Sequence, residues 1–375
     1  MLTLALTLAR AQVTLATDAG SVAFTGYAET YAQWNTNDPS NGITNLRGFD
    51  NRHATFTVAN VAAGASWDVS NVVGRAVFQV GSTPDAYYAG EPSLPGGTGA
   101  NASGAAVWRY VQQAQVGYHV AKAHDLLIEA GIFLSPIGPE GVAVRDNWNW
   151  SRSNLFFGLP FYHTGVRATL PVNRWSFTLA GYNGWNSVVD NNKAKSVSLQ
   201  AAYAADRVTA SVLYFGGDER PDGAVEGHPW RSVLDAWAQV HATPWMSVML
   251  HADGGFEAGR LGLSAWSAGA AYLRFHPHRM LYVALRGDVF REWVASDGGR
   301  TAASIFWPAP WMASATGTLD LRPADPVSVR LEVRHDRAGG DAFYRGDVTP
   351  DATTGVALPN AANQTTLTLG MNAGF

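Results

Sequence analysis

The chain predicts a transmembrane antiparallel β-barrel of about sixteen strands. Three observations point there. Apolar residues alternate with period two in segments of roughly ten residues, the length a tilted strand needs to cross a hydrocarbon layer. Tight turns alternate with long connections rich in Gly, Pro and Asn, and aromatic residues gather toward both ends of the segments. No window approaches the roughly 18 apolar residues of a spanning helix.

The clearest segment places Val327, Val329, Leu331 and Val333 on one face and Ser328, Arg330, Glu332 and Arg334 on the other. The last repeats the pattern, with Leu367, Leu369, Met371, Ala373 and Phe375 against Thr366, Thr368, Gly370, Asn372 and Gly374. Earlier ones agree: Leu126, Ile128 and Ile132 against Glu129; Leu234, Ala236 and Val240 against Asp235 and Gln239; Leu281, Val283 and Leu285 against Arg286 and Asp288. The first half reads as strands over 21–35, 52–68, 72–83, 107–120, 125–134, 161–170, 175–184 and 194–203. The second half continues over 207–216, 232–242, 246–254, 263–275, 280–293, 313–322, 327–336 and 364–375.

Tight connections are expected at Ser70-Asn71, Lys122 to Asp125, Val172 to Arg174, Ala205-Asp206, Thr243-Pro244, Pro277-His278 and Ala324-Asp325, strictly alternating with long ones. Such alternation makes the strand count even, with short turns periplasmic and long loops extracellular. One aromatic girdle is expected from Trp67, Tyr118, Trp175, Tyr203, Trp245, Tyr272 and Phe375 near the short turns. Trp34, Trp108, Tyr182, Trp185, Tyr214, Trp230, Trp266 and Trp293 would form the other. Amphipathic rings favour the headgroup layers.

No composition break divides the 375 residues, so 12–375 reads as one barrel domain. Residues 1–11, a short apolar run ending Ala9-Arg10-Ala11, read as a truncated signal peptide cleaved after Ala11. Net charge is −4 without a basic block, which excludes nucleic acid as a partner. There is no cysteine, so disulfides, Cys-zinc centres and thiol nucleophiles are excluded.

Strands in hydrocarbon must close on themselves to satisfy their backbone, and sixteen enclose more space than side chains fill. A water-filled channel is therefore expected, lined by Arg75, Arg109, Glu129, Arg167, Asp235, Arg286, Asp288, Arg330, Glu332 and Arg334. The signs roughly balance, so strong ion selectivity is not expected. In barrels resembling the general porins the third long loop folds inward. That resemblance assigns the constriction to the 135–160 connection, through Glu140, Arg145, Asp146 and Arg152.

Four stretches carry a more specific likeness: Gly131 to Phe133, Ser135 to Glu140, Asn147 to Asn154 and Leu159 to Gly165. On these the chain resembles the putative β-barrel porin-2, OmpL-like family of Gram-negative outer-membrane proteins. The resemblance implies a porin-type barrel in the bacterial outer membrane and carries no substrate. The expected partners are outer-membrane lipid, small hydrophilic solutes crossing by passive diffusion, and the outer-membrane assembly machinery, which would read the C-terminal strand ending at Phe375. A homotrimer, common among porins, fits the same reading. The rival is a plugged structural or ligand-binding barrel, kept open by the long loops at 84–106, 135–160 and 337–363.

No cofactor, metal or catalytic residue is expected. His163, His251 and Asp253 are nominally available, but no nucleophile motif accompanies them. Asp341, Asp347 and Asp351 lack the spacing of a calcium loop, and His276-Pro-His278 lies in a tight turn. A soluble propeller would show blade-length repeats, and none is found.

Overall fold

The computed structural model describes residues 13–93, 103–121 and 125–375. The leader expected over 1–11 and most of the 122–125 turn lie outside the described residues. Seventeen strands hydrogen-bond into one sheet, and sixteen of them form a closed antiparallel barrel.

The wall strands are β1 (Gly20–Asn35), β2 (Thr55–Val69), β3 (Val72–Val80), β4 (Val111–Ala121), β5 (Leu126–Leu134), β6 (Tyr162–Val172), β7 (Trp175–Tyr182) and β8 (Ser196–Ala204). They continue as β9 (Val208–Asp218), β10 (Trp230–Thr243), β11 (Met246–Gly259), β12 (Gly262–His278), β13 (Leu281–Trp293), β14 (Trp311–Ala324), β15 (Val327–Ala338) and β16 (Asn363–Gly374). All sixteen expected segments are present. Each strand pairs with its sequence neighbours, and β16 closes on β1 from Thr366↔Asn35 to Gly374↔Tyr27.

Below that seam Phe375 and Gly26 exchange backbone hydrogen bonds of 2.8 and 3.1 Å. The seventeenth strand, Val13–Thr17, then pairs with Gly20 to Phe24. β2 already occupies the other edge of β1 there, so this short strand covers the edge that β16 is too short to reach. No wall strand is left unpaired, as a low-dielectric surround requires.

The wall is apolar outside, the reverse of a soluble protein, and its interior combines buried charges with an aromatic and aliphatic cluster around Phe133, Phe215 and Phe290. On β15, Leu331 and Val333 are 43% and 50% exposed while Arg330, Glu332 and Arg334 are at most 1% exposed. Turn chemistry fits as well. Ser70 and Asn71 both have positive φ (51° and 72°), the two-residue hairpin geometry whose twist matches that of the strands.

Four departures from expectation have physical causes. The β11–β12 connection is the tight turn Arg260-Leu261, with Gly259 opposite Gly262, so the expected strict alternation of turn lengths fails at this place. The stretch 255–262 is rich in Gly and Ala and reads as a loop, yet it continues the ladder. β4 begins at Val111 rather than 107 because Ala105–Trp108 is a helical turn. Arg109 therefore belongs to an extracellular loop, where it pairs with Asp85 at 3.1 Å, and is not on the strand wall.

The girdles also need correction. Trp34, Trp175, Trp230, Trp245, Trp293, Tyr118 and Phe375 are exposed on the outer face, whereas Tyr182, Trp266 and Tyr272 point inward and are buried. Trp185 packs against that interior cluster. On the strands the pleat turns Tyr182, Trp266 and Tyr272 inward, and Tyr272 sits in the middle of Gly262–His278 and not at its short-turn end.

Candidate pore constriction

The third long connection leaves β5 and returns to β6 through a neck closed by the Ser135 N–H to Phe161 carbonyl bond, 2.9 Å. Its shape is held from within. The Asn147 side chain accepts from Gly141 N and donates to the Gly141 and Ala143 carbonyls at 2.8–2.9 Å. Arg152 donates to the carbonyls of Gly141, Val142 and Trp150. Ser153 caps the short helix Asn154–Phe157. Asn, Ser and Arg suit such a segment because each can satisfy backbone groups that no ladder reaches.

So organised, the segment crosses the lumen and fastens to the wall on several sides. Gly138 N donates to Asp235 on β10 (3.1 Å) and Val144 N to Glu29 on β1 (2.6 Å). Glu332 on β15 accepts from Trp150 N and Ser151 N (2.6 and 3.0 Å). Arg330 donates to the Asn149 carbonyl (2.9 Å) and Arg334 to that of Arg152. Asp288 on β13 accepts from Asn154 N (3.1 Å). Arg286 reaches the Ser151 carbonyl (2.6 Å), the Arg152 carbonyl (3.2 Å) and Glu140 (3.1 Å). These are charge-assisted bonds in a dry setting, the strong kind.

The four residues assigned to the constriction therefore divide. Glu140 and Arg152 are buried in the packing between segment and wall. Arg145 and Asp146 keep water beside them, with side chains 33% and 64% exposed. Arg145 also donates to Thr25 (3.1 Å) and to the Phe375 carbonyl (3.4 Å), and lies over the Tyr27 ring. Arg75 on β3 faces the same space, within electrostatic reach of Arg145 and Asp146.

The wall residues divide likewise. Asp235, Arg286, Asp288, Arg330, Glu332 and Arg334 point inward but are covered by the crossing segment, so they anchor it instead of facing open water. Glu129 and Arg167 pair at 2.7 Å beside the lumen, and the Arg167 side chain stays 24% exposed. Under the segment, at the short-turn end, lies a cavity of about 600 Å³ lined by Arg145, Tyr282, Arg322, Ser328, Arg330 and Phe375.

Three groupings did not emerge from sequence reasoning, although Asp235, His251 and Asp253 were each named there singly. The first long loop also dips inward, where buried Arg47 pairs with Asp50 and with Asp336 on β15. Phe49 beside it packs on Phe156, Phe157 and Phe161. On the β10–β11 wall, Asp235, His251 and Asp253 meet as a buried cluster; alternation places all three inward, but only the pairing register makes Asp235 face Asp253. Above, Glu91 ties two extracellular loops together by accepting from Tyr162 Oη (2.6 Å) and the Val188 and Val189 N–H groups. Burial pushes its carboxyl above the usual carboxylate range, and those bonds act against the rise.

Close approach of segment and wall depends on Gly370. A Cβ there would sit 2.4–2.6 Å from the Trp150 ring. Gly370→Leu is expected to displace Trp150 and cost about 1–3 kcal/mol by overpacking, measured by urea unfolding in micelles. An unchanged midpoint would mean that the segment is not seated on β16.

The family model described as putative beta-barrel porin-2, OmpL-like, matches residues 21–375. No curated protein matches the chain in sequence. Among solved structures it is similar to the in-vitro folded outer-membrane protein OmpT of Vibrio cholerae in its trimer form (TM-score 0.58, 10% identity, 96% of this chain and 100% of that one). It is also similar to an anion-selective porin from Comamonas acidovorans (0.59, 9%, 95% and 100%). The outer-membrane channel DcaP of Acinetobacter baumannii gives 0.56 at 11% identity, over 96% of this chain and 99% of that one. These identities carry the fold. The match over nearly the whole length carries more: the chain belongs to the putative β-barrel porin-2, OmpL-like family of bacterial outer-membrane proteins.

Proposed function

We propose that this barrel is a porin through which small hydrophilic solutes and ions diffuse passively, without a chemical step, and that the 135–160 segment sets its narrowest point. The observation that carries the reading is the pairing of inward-crossing segment and wet tip. Most of the segment is buried, yet Arg145 and Asp146 face water opposite Arg75. Loop charge facing wall charge at a narrow waist is how a wide barrel sieves ions. Trimerisation is part of the proposal, supported by the trimer form of one structural neighbour.

Bilayer recording tests this. Steady open-channel steps are expected from the refolded protein, and Asp146→Asn should leave Arg75 and Arg145 uncompensated and raise the anion-to-cation permeability ratio by roughly twofold or more. A reversal potential indifferent to Asp146 would remove the constriction from this tip.

A second reading has its own observation. Trp150, Ser151, Arg152, Ser153, Asn154 and Leu155 are all at most 2% exposed, as in a plug. A folded, heat-modifiable barrel that never conducts would favour that reading over a porin.

A further inference from the structure

We propose that Asp235, His251 and Asp253 form a binding site for one divalent transition-metal ion of the zinc class, set in the lumen wall beneath the root of the crossing segment. The pairing register brings the residues together. Asp235 on β10 stands directly opposite Asp253 on β11, and His251 lies two residues before Asp253 on the same inward face. Each offers a ligand atom, and the three atoms lie within 4.8 Å of one another. A tetrahedral ion with bonds near 2.0–2.2 Å holds its donors ~3.4 Å apart, so modest side-chain rotation completes the set. Three protein donors leave a position for water.

The cluster is not satisfied as it stands. Two carboxylates face each other across one rung of the ladder, an arrangement that destabilises a sheet. Asp235, His251 and Asp253 are 0%, 3% and 4% exposed. Asp235 Oδ2 meets His251 Nε2 at 2.5 Å, but His251 Nδ1 and Asp253 Oδ2 are both buried with no hydrogen-bond partner. Among the described residues neither carboxylate pairs with arginine or lysine, and the one cationic partner within reach is His251, which leans on Asp235. Buried charge without a counter-charge is costly. A divalent cation supplies one.

The surroundings are those of a ligand set. The second oxygen of each carboxylate is held from outside the centre: Asp235 Oδ1 by Gly138 N (3.1 Å) and Asp253 Oδ1 by Trp266 Nε1 (2.9 Å). Such outer bonds orient metal-binding carboxylates. One imidazole nitrogen with two carboxylates suits zinc and its neighbours better than calcium, which takes six to eight oxygens. Through Asp235 the ion would also stiffen the anchor of Gly138, coupling metal loading to the seating of the crossing segment. The site is independent of whether the barrel conducts.

The test is equilibrium dialysis of the refolded full-length barrel, stripped with chelator, against zinc chloride, with calcium chloride in parallel and bound metal quantified. Asp253→Asn and His251→Gln are the variants, with heat-modifiable mobility and circular dichroism confirming the fold. Asp253→Asn preserves shape, so it serves even where His251→Gln does not fold. One saturable zinc per chain is expected to be lost, or weakened at least about tenfold, in Asp253→Asn, while calcium leaves the site empty. Zinc bound at exposed groups such as His228, which lies against Asp218 and Asp222, would survive in the variant. Equal zinc binding by wild type and Asp253→Asn, or preference for calcium over zinc, would overturn the proposal.

Discussion

Arg286→Met is expected to unfasten the crossing segment and to lower barrel stability by about 3–5 kcal/mol, the usual cost of removing one member of a buried ion pair. Arg286 donates to the Ser151 and Arg152 carbonyls, to the hydroxyls of Ser151 and Thr316, and to Glu140. Its Nε lies 3.3 Å from Asp288. Methionine fills a similar volume, so the effect isolates charge and hydrogen bonding from cavity formation. Left behind are Glu140 and Asp288, both buried. Adding Glu140→Gln should recover part of the loss, because it removes one stranded carboxylate. Two readouts apply: urea unfolding followed by tryptophan fluorescence, and single-channel conductance, which should rise as the segment leaves the lumen. A loss below about 1 kcal/mol with unaltered conductance would show that the β13 wall does not hold the segment.

An arginine on the outer face should be nearly as damaging, for a different reason. Leu285 is 45% exposed on the outside of β13, between Leu273 and Gly317 on the adjoining strands. Leu285→Arg is expected to cost about 2–4 kcal/mol in lipid, because no water reaches a guanidinium near the bilayer centre. Thr178→Arg, at an inward position on β7, should stay within about 0.5 kcal/mol. Unfolding in vesicles reads both. If the two arginines cost the same, the outer face is not in contact with hydrocarbon. The comparison uses lipid as a ruler of which face is which.

Some of these residues are legible in the amino-acid sequence. Alternation alone placed Leu331 outward and Arg330 inward, because a strand's side chains have a period of two and lipid tolerates only one of the two faces. The same logic located all sixteen strands. It failed where two rules overlapped: Arg260-Leu261 sits in a Gly-rich stretch that reads as a loop but extends the ladder. It also misjudged Tyr182, Trp266 and Tyr272, since an aromatic on a strand suits either a girdle or an interior cluster.

The crossing segment was legible as a candidate, through its place as the third long connection and its Pro-, Asn- and Trp-rich composition. What each residue does there was not. Glu140 and Asp146 are six positions apart in one loop, and nothing local tells that Glu140 is spent on Arg286 while Asp146 faces water. Nor does anything local bring Arg47 to Asp336, 289 positions away, or set Asp235 against Asp253. By itself the sequence determined the barrel, its sixteen strand segments and which face meets lipid, because these follow from periodicity within a strand and from the solvent outside it. Tertiary structure alone decided which inward charges stay wet and which become anchors. That depends on how a loop fills the enclosed space and on strand register, and neither leaves a periodic trace.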